Sequence, residues 1–346
     1  MKLKDYRMSE RIPQSPPIIQ PVPGLIQRPR WSVMIPAYNC QQYLVGNILS
    51  VLQQDPGAEH MQIEVVDDCS TDTDVERLVR EIGKGRVAYY RQSQNVGSLR
   101  NFETCLNRAT GYFIHLLHGD DQVKPGFYAE IEKLFTDFPE AGAAFTGFVF
   151  VDGQNERLYD NHTLLHEPGL LKNWLVRIAS SQLIQVPAMV VKREVFEKLG
   201  GFYGVHYGED WEMWVRIAAQ YPVAHSPKRL ALYRVHDENI TSRYFLTGQS
   251  MTDALQVVDT IQQYLPPKER KKAKRAAKKH LATYFARTAD KIYHQYHRPF
   301  VALSQSKRAL EMHFSPLTLY YRLKIALKIR IGYKMPKQVG MTASAD

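Results

Sequence analysis

Cysteine is scarce. The 346-residue chain has three, Cys40, Cys69 and Cys105, an odd number that lacks the CxxC or Cys/His spacing of a zinc site and the paired pattern of a disulfide framework. They are expected to be reduced and half-buried. No apolar run approaches the roughly 20 residues that a bilayer-crossing helix needs; the most apolar stretch lies around Ala143–Val151. The amino terminus, MKLKDYRMSERIPQ, is charged but has neither an apolar core behind it nor a small-residue cleavage site, so no secretory signal is read there. A cytoplasmic protein is expected. No repeat of fixed period is found, and hydrophobic residues at 44% with aromatics at 11% exclude disorder as the dominant state.

The formal net charge of +10 is not spread evenly. Residues 1–267 carry 26 basic against 31 acidic side chains, and residues 268–346 carry 19 against 4. A mildly acidic body therefore ends in a strongly basic segment, which points to an anionic surface as a partner of the tail alone. The densest basic part, KERKKAKRAAKKH, lacks interleaved aromatics, and with the negative body this argues against a nucleic-acid partner.

Residues 11–29 hold six prolines and no periodicity, so they read as a loose arm. Order begins at Trp31. WSVMIP, IEVVDD, RVAYYR and YFIHLL are apolar runs suited to buried strands, and between them Leu44/Ile48/Val51, Val75/Val79/Ile82 and Leu99/Phe102/Leu106 fall at helical spacing. Such alternation predicts a mostly parallel sheet with helices on both faces. Ligands of open sheets bind outside the carboxyl ends of the strands, which is where Tyr38-Asn39, Asp67-Asp68 and Asp120-Asp121 all fall. Further on, a helix over Phe127–Phe138, strands over Ala141–Gly153 and near Leu183–Val191, a helix begun by Glu209-Asp210, and a helical region from Thr252 are expected.

WSVMIPAYNCQQYLVGNILSVLQQ, IEVVDDCSTD, QNVGSLRN, YFIHLLHGDD and GEDWEMW, in that order over residues 30–240, together resemble the inverting, nucleotide-sugar-dependent glycosyltransferases of family 2. The resemblance implies an α/β fold: one nucleotide-binding domain with a mostly parallel central sheet covered by helices (GT-A-like), plus a helical basic C-terminal extension. The expected boundaries are a flexible arm over 1–29, a catalytic domain over 30–245 and the extension over 246–346.

The resemblance also assigns residues. In PAYN (Pro36, Ala37, Tyr38, Asn39), Tyr38 packs on the nucleobase while neighbouring backbone groups contact the ribose. Asp68 accepts a hydrogen bond from the base, and an ionised carboxylate, which only accepts, suits a uracil or thymine imide or a guanine donor; a helix cap by Asp68 or Ser70 is the plainer alternative, with Ser70 and Thr71 able to take over that task. Arg100 is the candidate for the diphosphate, with a surface ion pair as its rival. LLHGDD departs from the family's Asp-x-Asp pattern by placing His118 first. Asp120 and Asp121 remain to hold Mg²⁺ or Mn²⁺, His118 to contact the sugar or the metal, and His236 in YRVHDENIT to complete the metal shell. Asp210 is the expected general base, with Glu209 as its positioning neighbour.

The expected activity is transfer of a monosaccharide from a nucleoside diphosphate sugar, a UDP-sugar first among them, to a glycan or lipid-linked acceptor. A nucleotidyltransferase has overlapping needs, but no glycine-rich loop carrying Lys or Arg follows the first strand. The tail, through LYYRLKIALKIRIGYK, has a composition suited to lying in a membrane interface, which would place the protein peripherally on a cytoplasmic face.

Overall fold

The structure, a computed structural model, describes residues 11–24, 27–236 and 240–333. Residues 1–10 of the expected arm, residues 237–239 and the end of the tail beyond Tyr333 lie outside the described residues.

Strands and helices alternate from the start: β1 (Trp31–Ala37), α1 (Gln41–Leu52), β2 (Met61–Asp67), α2 (Val75–Gly83), β3 (Ala88–Arg91), α3 (Ser98–Arg108) and β4 (Phe113–Leu116). All seven residues of β1 are buried, as expected of a parallel strand covered on both faces rather than on one. The short β5 (Gln122–Val123), α4 (Phe127–Asp137), β6 (Ala143–Val151), β7 (Arg157–Asp160), β8 (Gly169–Leu170) and α5 (Trp174–Ser180) follow. Next come β9 (Met189–Lys192), α6 (Arg193–Leu199), α7 (Glu209–Ala218) and β10 (Val223–Arg234), and then α8 (Ile240–Thr247), α9 (Gln249–Thr260), α10 (Pro267–His294), α11 (Pro299–Met312) and α12 (Pro316–Arg330).

The sheet runs β3-β2-β1-β4-β9-β6-β10-β5, with β7 on β6 and β8 on β10. β1, β2, β3 and β4 are mutually parallel, and β6 and β10 are parallel to each other. β9 lies antiparallel between β4 and β6, so β6 and β10 run the same way as β1. Strand order reverses between β1 and β4: the chain moves outward to β3 and returns on the other side of β1. A crevice opens at the carboxyl ends of strands at such a switch point, and PAYN and HGDD leave the sheet there.

β10 has no counterpart among the expected strands. Pro227 and the basic pair after it interrupt the apolar pattern, and the ladder to β6 accommodates them with register shifts between Ser226 and Ala231, the bulged setting in which a strand tolerates proline. β9 is shorter than the run near Leu183–Val191 suggested, because Pro187 sits in a 3₁₀ turn over Val186–Ala188.

Over its described part, the arm is not loose. Gly201 N donates to the carbonyl of Pro17 and Gly204 N to that of Pro13, both at 2.9 Å; Arg193 Nη2 donates to Gln20 O at 2.7 Å, and Ile19 is 1% exposed. Prolines lack the N–H but keep the carbonyl, and here the body supplies the donors. Nor does the hydrophobic core end near residue 245, because Leu281, Phe285 and Ala286 of α10 belong to the same apolar cluster as the sheet.

Candidate active site at the carboxyl edge of the sheet

After β1, Tyr38 is 47% exposed, its ring open to a ligand. Asn39 adopts φ +48°, a region asparagine tolerates, and ties two loops together: its N–H donates to Ser70 Oγ at 3.0 Å and its Oδ1 accepts from Thr71 N at 2.8 Å. At the end of β2 the two acids divide their work. Asp67 is fully buried and accepts from Ser70 N, Ser70 Oγ, Tyr89 OH and Arg91 Nη1, so it holds the loop. With Ser70 thus occupied, the cap of α2 is Asp74, which accepts from Arg77 N at 3.0 Å, rather than Ser70 or Thr71.

Asp68 is also buried, and burial pushes its pKa up. Oδ1 accepts from Val96 N at 2.6 Å, and Oδ2 from Gly97 N and Asn95 Nδ2, each at 2.9 Å. One lone-pair direction on Oδ1 stays open by that count. Gly97 has φ +91°, which a residue with a side chain rarely adopts. Arg100, in the first turn of α3, donates to Glu103 Oε2 at 2.7 Å, the ion pair that was the rival to its phosphate role.

Sequence reasoning missed Arg11. From the arm, it donates through Nη2 to Asn95 Oδ1, lies against Gly97, and faces the carboxylate of Asp68. The link fixes the side chain that orients Asp68. Arg11→Ala is expected to raise the donor KM about 3- to 10-fold at unchanged kcat, the size of one hydrogen bond to a charged network. Donor titration checks it; an unchanged KM would show that Asn95 holds Asp68 unaided.

HGDD folds onto the β1–α1 loop. Gly119 N donates to Pro36 O at 3.1 Å, and a Cβ on Gly119 would stand 2.7 Å from Cys40 Sγ and 3.3 Å from Pro36 O, so only glycine fits. Asn47, buried on α1, clamps the turn by donating from Nδ2 to His118 O at 2.7 Å and to Asp121 O at 2.8 Å. From the other side, Arg234 at the end of β10 donates its backbone N–H to Asp121 Oδ1 at 2.8 Å and its Nε to Asp120 O at 2.7 Å. Its guanidinium lies 4.6 Å from the ring centre of Tyr43, which also packs against the His236 ring.

One donor atom each from His118, Asp120 and Asp121 lies within 4.8 Å of the others. Asp121 Oδ2 and His118 Nε2 are buried without a hydrogen-bond partner, the kind of buried polar atoms that an ion or a water would satisfy. Two carboxylates and an imidazole fit Mn²⁺ or Mg²⁺. Burial and the neighbouring Asp120 push Asp121 well above the usual carboxylate range. Burial opposes ionisation of Asp120 as well, but a 3.0 Å contact with His236 Nε2 and the proximity of His118 hold it low. His118, stacked on Phe102, thus stands among the donors, and His236 stands behind Asp120.

Asp210 lies in the first turn of α7, 6% exposed. Gln182 Nε2 donates to its two oxygens at 2.9 and 3.0 Å, and Trp211 N to Oδ1 at 2.7 Å. Burial nonetheless raises its pKa to about 6. Burial and the charge of Asp210 push Glu209 well above its ordinary value. Tyr207, its phenol raised by burial, lies within electrostatic reach of both Asp210 and Tyr233, and Tyr233 precedes Arg234. Tyr207 thus lies between the start of α7 and the end of β10, whose Arg234 holds the HGDD loop.

Known proteins resemble the chain in sequence and in fold. Residues 32–200 match the glycosyl transferase family 2 profile. An uncharacterized glycosyltransferase of Haemophilus influenzae is 25% identical over 227 residues, covering 62% of this chain and 68% of the relative. The fold is shared with Staphylococcus aureus TarS 1-349 in complex with UDP-GlcNAc, at a TM-score of 0.59 and 16% identity over 89% of this chain and 94% of that one. It is shared too with the mannosyltransferase PcManGT of Pyrobaculum calidifontis in complex with GDP-Man and Mn²⁺, at a TM-score of 0.54 and 18% identity over 94% of this chain and 86% of that one. With the ordered motifs, the profile match identifies residues 32–200 as a glycosyl transferase family 2 domain, and the solved structures share its GT-A fold.

Proposed function

We propose that the protein transfers a monosaccharide from a UDP-sugar to a hydroxyl of a glycan or lipid-linked acceptor, with inversion at the anomeric carbon and with Asp210 as the base. The observation that carries this reading is Asp210 itself, a buried carboxylate with pKa about 6 that is oriented by Gln182 and Trp211. It is ionised at neutral pH yet more basic than a surface aspartate, which suits proton abstraction. As the acceptor oxygen bonds to the anomeric carbon, Asp210 takes the hydroxyl proton. The bond to the diphosphate breaks opposite the attack, and the diphosphate leaves with the electron pair.

Tyr38 offers a stacking face to the base, and the open position on Asp68 Oδ1 accepts from a ring N–H, which suits uracil or guanine over adenine; uracil is favoured of the two because the fold neighbour TarS is in complex with UDP-GlcNAc. Asp120, Asp121 and His118 would hold Mg²⁺ or Mn²⁺, with His236 bracing Asp120; such a cation, when bound, supplies positive charge against the diphosphate. Arg100 is held by Glu103 through Nη1, and a phosphate would compete for the same guanidinium.

Hydrolysis of a panel of nucleotide sugars with Mn²⁺, with and without chelator, tests the reading. UDP-sugars are expected to be turned over ahead of GDP- and ADP-sugars, and chelation to abolish turnover; turnover in chelator would overturn the metal role. Tyr38→Ala is expected to raise the donor KM about 5- to 100-fold, since base stacking is worth about 1–3 kcal/mol, with kcat at saturation unchanged. A fall in kcat at constant KM would remove Tyr38 from the base site.

A further inference from the structure

The last described helix carries an apolar stripe on its solvent side as well as apolar residues on its buried side. On α12, Thr318 and Ile325 face the protein, and so do two lysines: Lys324 Nζ donates to Asp290 Oδ2 at 2.7 Å, and Lys328 Nζ lies 2.7 Å from His294 Nε2, both partners being on α10. Four apolar residues nonetheless point outward. Tyr320 is 55%, Leu323 58%, Leu327 59% and Ile331 64% exposed, at steps of three and four that align them on one face. At about 1.5 Å per residue the stripe is roughly 16 Å long. Phe314, just before the helix, is 69% exposed.

Nearer the start of α10, the helix on which α12 packs, lies a concentration of positive charge. Lys271, Lys274, Arg275 and Lys278, at i, i+3, i+4 and i+7 on α10, line a cavity of about 260 Å³ that is closed by Met312 and His313. His313 is the residue before Phe314. Lys274 is paired with Asp259 at 2.6 Å; no ion pair is seen for the other three among the described residues. Like charges at these spacings repel along a helix, so the folded protein gains nothing by gathering them. Residues 268–333 carry 17 basic against 3 acidic side chains.

We infer that the Tyr320–Ile331 face of α12 and the Lys271–Lys278 groove form one surface that seats the protein on an anionic lipid membrane, the apolar stripe entering the headgroup boundary and the groove taking lipid phosphates. A second copy of the chain would satisfy the stripe but would bring two strongly positive segments together. An anionic bilayer satisfies both, because apolar burial and charge attraction act on the same plane. No helix of the described residues is long and apolar enough to cross a membrane, so the contact is interfacial. It does not depend on which sugar is transferred.

The test is co-sedimentation of the full chain with phosphatidylcholine vesicles, with or without about one-third phosphatidylglycerol, at about 0.1 and 0.5 M salt, where screening lengths differ about two-fold. Binding is expected to the anionic vesicles at low salt only. Leu323→Ser/Leu327→Ser, and separately Lys271→Ala/Arg275→Ala/Lys278→Ala, are each expected to weaken it about ten- to a hundred-fold, with donor hydrolysis in solution unchanged. Equal binding to neutral vesicles, or anionic binding that both variants retain, would overturn the inference. So would a solution oligomer that Leu323→Ser/Leu327→Ser dissolves while vesicle binding is absent, since the occupant of the stripe would then be a second copy. Because donor hydrolysis is read separately, failure here leaves the glycosyl-transfer reading untouched.

Discussion

Asp210→Asn is expected to lower kcat by about 10²–10⁴, the range a positioned general base contributes, while leaving the donor Kd within about two-fold. Asparagine keeps the shape and one oxygen, which can still accept from Trp211 N and from Gln182 Nε2, the two donors that now hold the carboxylate. Only the ability to take a proton is lost. The wild-type enzyme carries its own control: with Asp210 raised to about 6 by burial, kcat should fall tenfold per pH unit below that value, as the protonated acid cannot accept the acceptor's proton. In Asp210→Asn the residual rate should lose this limb. Measured pH profiles of both proteins at saturating donor decide the point. A variant that keeps most of the wild-type rate, or a wild-type profile flat down to pH 5, would remove Asp210 from the chemistry. Glu209 sharpens the expectation. Burial beside Asp210 favours its protonated form, so Glu209→Gln should disturb catalysis far less than Asp210→Asn does.

What was legible in the sequence follows from how locally each feature is encoded. The first four strands and their helices announce themselves as short apolar runs between helical stripes, and the residues after each strand fall at one edge because a parallel sheet puts them there. Asp210 was singled out because a motif marks it, and the structure buries it in the first turn of α7. The partners that make these groups functional were not. Asn47 hides within the apolar stripe of α1, and its clamp on His118 and Asp121 exists only once the chain has folded back over 70 residues later. Gln182 sits outside every motif. Arg234 lies at the end of a strand that Pro227 disguised, and Arg11 in an arm whose prolines suggested looseness. In that arm the signal was misread for a physical reason: composition reports how few N–H donors a proline-rich segment has, but not whether the body offers donors to its carbonyls. Gly201 and Gly204 do. Spacing alone also could not tell that the His236 ring contacts Asp120 directly while His118 stands 4.0 Å from Asp121.

The HGDD loop makes the other large expectation, one that separates a binding role from a merely structural one. Asp121 is buried beside Asp120, with Oδ2 unpartnered and a pKa well above the ordinary carboxylate range. Without a cation, folding must bury this carboxylate or keep it protonated. The unfolded chain ionises near the ordinary aspartate value and the folded chain only at higher pH, so stability should fall as pH rises between the two. Asp121→Asn removes that penalty and keeps an oxygen to accept from Arg234 N. The metal-free variant is therefore expected to melt higher than metal-free wild type at neutral pH, by an amount corresponding to about 1–3 kcal/mol, the usual penalty of an unsatisfied buried polar group. Mn²⁺ should reverse the ranking: wild type gains melting temperature with added metal, because a ligand of the folded state alone stabilises it by mass action, and Asp121→Asn gains little. Sugar transfer by the variant should fall at least 100-fold, the lower end of what a well-placed electrostatic group contributes. Thermal melts of both proteins in chelator and in millimolar Mn²⁺ read the outcome without any turnover. If Asp121→Asn melts lower than wild type in chelator and responds equally to Mn²⁺, Asp121 is a structural acid and the cation, if one is used, is held by Asp120 and His118.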